Sequence, residues 1–167
     1  MVSVHDVAAY ILDRRRGPVT AMKLEKLVYY CQAWHLVWCE EPLFGERIEA
    51  WANGPVVREL FDLHRGKFSL DEPWPAGDAG VLDAAQRGTV DAVLDNYGPL
   101  SGRQLSALTH DEAPWKDARK GLAPTDKSSR TISSAALAEY YSAVDQAEEA
   151  RPVADLDWDS WEFPAGR

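Results

Sequence analysis

The stretch TAMKLEKLVYYCQAWHLVW, Thr20 to Trp38, decides the fold. Leu24, Leu27, Val28, Cys31, Trp34 and Trp38 recur at the i, i+3, i+4, i+7 spacing that predicts one buried helical face. Thr20 stands where an N-cap belongs, its hydroxyl placed to accept an orphan backbone N–H. Lys23, Glu25, Lys26 and Gln32 fall on the opposite face and are expected to be its polar side. Tyr29 and Tyr30 flank the apolar stripe and bring an O–H as well as a ring. No other helical pattern in the chain carries as much apolar and aromatic mass, so this segment reads as the central core helix.

The flanking segments read as helices around it. Ser3 followed by Asp6 is an N-cap with an acid in the first turn, and Val4, Val7, Ala8 and Ile11 form an inner face. Arg14, Arg15 and Arg16 suit the helix C-terminus, and Gly17-Pro18 stops the helix. Beyond Glu40-Glu41-Pro42, Leu43 and Phe44 read as an apolar plug. Arg47 to Trp51 alternates as a short strand does. Asn53-Gly54-Pro55 reads as a turn, with Pro55 expected to open a helix reaching about His64 on Val56, Val57, Leu60 and Phe61. Residues 67–80 form the longest internal loop, in which Trp74 needs cover. Further helices are expected over 82–97, from the Ser101/Gln104 capping box, from Pro114, and from Ser133 or Ser134, the last with Leu137, Tyr140, Tyr141 and Val144 inward. Thr131-Ile132 reads as a second short strand. The predicted fold is mainly α: a compact single-domain helical bundle with at most a short β-hairpin. Its domain covers residues 1–151, and residues 152–167 form an acidic, aromatic tail.

A chain of 167 residues with a net charge of −9 supports one core without staples and lacks the basic footprint of a nucleic-acid binder. No apolar run reaches the roughly 18 residues of a membrane span. Charge follows the first apolar residues rather than preceding them, the reverse of a secretory signal. A cytoplasmic protein is expected, with Cys31 and Cys39 reduced.

Phosphate loops, GxGxxG, GxSxG, HExxH and paired CxxC motifs are all absent from the sequence. His110-Asp111 is an HD dipeptide of the type that supplies two metal ligands in phosphohydrolases, but no second ligand pair accompanies it. His110 therefore reads more simply as a hydrogen-bonding residue between helices. Neither an enzyme, a metal nor a cofactor is called for. In the tail, Trp158, Trp161 and Phe163 alternate with Asp155, Asp157, Asp159 and Glu162. These aromatics either dock back on the domain or order on a basic partner.

Three stretches match, in order and spacing, those of one family. LEKLVYYCQAW at Leu24–Trp34 is similar to LKLQKLLYYAQGW. PLFGERIEAWANGPV at Pro42–Val56 is similar to PLFDERIEAWxxGPV. LSALTHDEAPW at Leu105–Trp115 is similar to LSxLTHxExPW. Together they resemble the Panacea-domain family, the SocA-like antitoxins, over roughly residues 3–145, with Glu25 in place of the usual glutamine and Cys31 in place of alanine. The resemblance implies a helical domain that neutralises a toxin encoded by an adjacent gene through direct protein contact, with no catalytic residues to carry over. Lys26, Tyr29, Gln32 and His110, polar within these motifs, are candidates to line a shared partner groove, the alternative being scaffold. The functional rivals are an adaptor delivering a partner to an ATP-dependent protease, and a metal-dependent phosphohydrolase centred on His110-Asp111.

Overall fold

In the computed structural model, which describes residues 1–15 and 17–148, the order is α1 (Val4–Arg14), β1 (Val19–Thr20), α2 (Ala21–Cys39), β2 (Ile48–Trp51), β3 (Gly54–Val57), α3 (Arg58–His64), β4 (Ser69–Leu70), a 3-10 turn (Ala79–Val81), α4 (Ala84–Tyr97), α5 (Gly102–His110), α6 (Ala113–Ala118) and α7 (Ser134–Glu148). The fold is mainly α, as the helical patterns predict. β2 and β3 form a hairpin, its first strand expected and its second falling where a helix is predicted. A second antiparallel pair, β1 with β4, adds a short ladder the sequence reading lacks.

α2 is the centre, packed against α1, α4, α5, α7 and β3. Thr20 caps it by accepting from Lys23 N–H, and Glu40, at φ 57°, ends it ahead of Pro42. Burial runs further round the helix than the apolar stripe. Every residue from Leu24 to His35 is buried, including Glu25, Lys26 and Gln32. The polar face expected for these three is therefore an inner face. Neighbouring elements cover it, and their backbone groups supply partners for its side chains. Trp38 departs in the other direction: it stacks on Trp34 in the last turn of α2 and is 44% exposed. Each fully buried Leu or Val on this helix contributes roughly 1.5–3 kcal/mol of apolar burial.

Capping boxes open α1 (Ser3 with Asp6), α4 (Asp83 with Gln86) and α5 (Ser101 with Gln104). The long loop packs back on α1. Trp74 Nε1 donates to His5 Nδ1 at 3.1 Å, Asp78 N–H donates to Asp6, and Arg15 holds the carbonyls of Leu70 and Asp71. Pro55 does not open a helix: it sits in β3, and α3 begins only at Arg58. Its partner Ala50 turns its own N–H and C=O outward, to Arg130 O and Arg119 Nη1, so the position exchanges no ladder bonds and the missing proline N–H costs none. Thr131 does extend this hairpin, through a single antiparallel bridge to Glu49. On α7, Leu137 and Tyr141 are buried, while Tyr140 and Val144 are half-buried.

Candidate functional site

The three motif stretches converge on α2, and polar side chains make the joints. Glu25 and Lys26 take the outer edge of β3. Glu25 Oε1 accepts Val57 N–H at 2.9 Å, and Lys26 Nζ donates to Pro55 O at 2.9 Å. The other Glu25 oxygen lies 2.7 Å from His64 Nε2 on α3. Close approach of Lys26 requires glycine at position 54. A Cβ there would fall 2.6 Å from Lys26 Cε, and the backbone φ of +119° disfavours any other residue. About two helical turns on, Gln32 mimics a strand. Its Oε1 accepts from Leu43 and Phe44 N–H and its Nε2 donates to Phe44 O at 2.8 Å, fixing the apolar plug beneath the helix.

Between these joints lies a buried carboxylate among tyrosines. Glu112, from the short linker between α5 and α6, accepts from Tyr30 O–H at 2.5 Å and Tyr141 O–H at 2.9 Å. Since Tyr141 gives its proton to Glu112, its oxygen takes the proton of Tyr29, 3.0 Å away. The Tyr97 ring stacks on Tyr30 at 4.1 Å, and its hydroxyl accepts from Trp34 Nε1. Burial penalises the charged form and pushes the Glu112 carboxyl up to about 7; the two tyrosine bonds pull the other way, and the neighbouring Asp111 charge adds to the rise. Tyr29, Tyr30 and Tyr141 are pushed well up, first by burial and then by the Glu112 charge. A carboxyl poised near neutrality has the proton affinity of a general acid or base, yet Glu112 is buried. The cleft of about 600 Å³ between α1, α2 and α4, lined by Arg14, Lys23, Leu27, Asp91, Leu94 and Asp95 among others, does not include it.

Lys26, Tyr29 and Gln32 are thus brought together along α2, each buried and each bonded within the fold. His110 stands apart and half-buried at the end of α5, its ring centroid 4.0 Å from that of Trp115. Trp115 Nε1 donates to Trp51 O at 2.8 Å, which ties the third motif to the second. Among the described residues no three His, Cys, Asp or Glu side chains gather as a metal site would require. Cys31 is buried and its thiol is pushed well up by burial. Trp158, Trp161 and Phe163 lie outside the described residues. Among those residues no helix is long and apolar enough to cross a membrane.

Sequence reasoning missed the Glu112 cage and the Glu25–His64 contact. Both acids sit inside recognisable motifs. What marks them, acids among aromatic and apolar neighbours, becomes a signal only once the partner elements are in place.

A mainly α domain whose polar motif residues are spent on joints to one buried helix is the class defined by this geometry. Residues 24–116 match the family described as antitoxin SocA-like, Panacea domain, and the chain belongs to that family. It is also similar to antitoxin SocA of Caulobacter vibrioides (strain NA1000 / CB15N), at 27% identity over 134 residues that cover 68% of this chain and 69% of the relative. No solved structure matches it.

Proposed function

We propose that this chain is the antitoxin of a type II toxin–antitoxin pair, neutralising a toxin encoded by an adjacent gene through direct protein binding in the cytoplasm. The observation that carries the reading is membership of the antitoxin SocA-like Panacea family across the motif core. The geometry agrees with a binding module: the polar motif residues hold the frame, and recognition then falls to the surface. A net charge of −9 suits a basic partner, because complementary charge speeds encounter. Residues 1–151 are the domain in this reading. Residues 152–167 add the aromatic anchors Trp158, Trp161 and Phe163 for the toxin, while Lys26, Tyr29 and Gln32 support the surface from beneath.

Co-expression tests it. The neighbouring gene induced alone should arrest growth, and this chain should restore growth and co-purify with the toxin in fixed stoichiometry. Absence of both toxicity and complex would overturn the reading, and rescue with loss of the toxin itself would replace it with proteolytic delivery. Deleting residues 155–167 should weaken rescue without lowering the thermal midpoint of the domain; unchanged rescue would remove the tail from the interface.

A further inference from the structure

Charge is unevenly spread over the molecule. Residues 116–130 contain Lys116, Arg119, Lys120, Lys127 and Arg130 against only Asp117 and Asp126, a local +3, so the remainder of this −9 chain carries −12. The segment is built on a fixed frame. The buried Arg119 guanidinium donates to Ala50 O, Ala123 O and Asp126 O, Arg130 Nη1 donates to Lys120 O, and Arg47 Nη2 donates to Ser129 O. Lys116, Lys120 and Lys127 are exposed on that frame and make no ion pair among the described residues. Three exposed lysines on a segment of local +3 in an otherwise acidic protein suit an acidic segment by charge.

We propose that the acidic, aromatic segment Asp155–Phe163 of this same chain docks on the basic surface formed by residues 116–130. Its four acids complement the three lysines, and Trp158 and Trp161 suit the flat faces of Arg47 and Arg130. Chain length permits the contact. The basic loop ends four residues before α7, and the tail follows its far end. The 15 residues of α7 span roughly 22 Å. Asp155 lies seven residues past Glu148, a reach of about 23 Å at 3.3 Å per residue, and Glu162 reaches about twice as far. A toxin that takes these aromatics must then displace them from the loop, so the contact would set a threshold on partner binding. The docking itself stands whether or not the partner is a toxin.

The test is zero-length carbodiimide cross-linking of the dilute full-length protein, read by peptide mass spectrometry on the monomer. Links from Lys116, Lys120 or Lys127 to Asp155, Asp157, Asp159 or Glu162 are expected. Their yield should fall about tenfold in about 1 M salt, where the Debye length shrinks to about 3 Å. Tail carboxylates linked to other lysines, or no tail links at all, would overturn the proposal. Links found only in a covalent dimer would overturn it in favour of a second copy.

Discussion

Two buried glutamates in this molecule solve the same problem differently. Glu25 lies on α2 and is matched by a backbone N–H on one oxygen and an imidazole on the other. Glu112 lies in a linker and is matched only by phenolic hydroxyls, both on the same oxygen, with no cation paired to it among the described residues. Burying a carboxylate costs several kcal/mol unless its bonds and charge are answered. Glu25 therefore acts as a joint that holds the hairpin and α3 on α2. Glu112 accepts its tyrosine bonds in either protonation state, but its burial favours the neutral form. Above its raised pKa it places an uncompensated charge between α2 and α7.

The contrast is broken most severely by Glu25→Ala, which orphans Val57 N–H and the buried His64 ring together. We expect a loss of roughly 3–5 kcal/mol in urea-unfolding stability. Glu25→Gln, which keeps an acceptor for Val57 and offers an N–H to His64, should lose much less. Equal losses for the two variants would show that the carboxylate charge, not the bond pattern, matters there.

Glu112→Gln sharpens the contrast through pH. The folded-state pKa of about 7 exceeds the reference value of 4.5, so between these pH values the folded protein holds a proton that the unfolded chain has released. Stability conferred by the protonated group is therefore complete below about pH 4.5 and is lost as pH rises to 7 and just beyond, by about 3 kcal/mol at 1.36 kcal/mol per unit. The glutamine variant should lack that decline and be the more stable protein at pH 8. A wild-type curve with the same slope as the variant would refute the assignment.

The smallest expected effect is that of Tyr141→Phe, which removes one donor to Glu112 and costs about 1–2 kcal/mol. It should also move the pH-linked decline upward, because the ionised carboxylate loses a bond that favours it. A decline that stays in place would mean that Tyr30 alone sets the Glu112 proton affinity.

Much of this was legible along the chain. Ser3, Thr20 and Ser101 cap helices as their side-chain chemistry allows, and the apolar residues 24, 27, 28, 31 and 34 do face the core. Trp38 keeps the same period but, in the last turn of α2, is left 44% exposed. Pro55 illustrates the other failure. Its preset φ suits a first helical turn and an edge strand alike, and the choice fell to Ala50, whose outward-turned backbone left no bond for proline to spoil. Glu25, Lys26 and Gln32 were misplaced for a related reason. Periodicity sorts residues by polarity, whereas burial depends on whether a neighbour supplies the missing bonds.

By itself, then, the sequence determined the helical class, the side-chain-capped helix starts at Ser3, Thr20 and Ser101, the central helix and the family motifs, since these follow from local spacing and capping within a few residues. Only the tertiary structure decided which polar groups lie inside. The β3 backbone, the Leu43-Phe44 amides and the hydroxyls of Tyr30 and Tyr141 reach α2 and Glu112 from distant parts of the chain, and a buried polar group is stable only where such partners arrive.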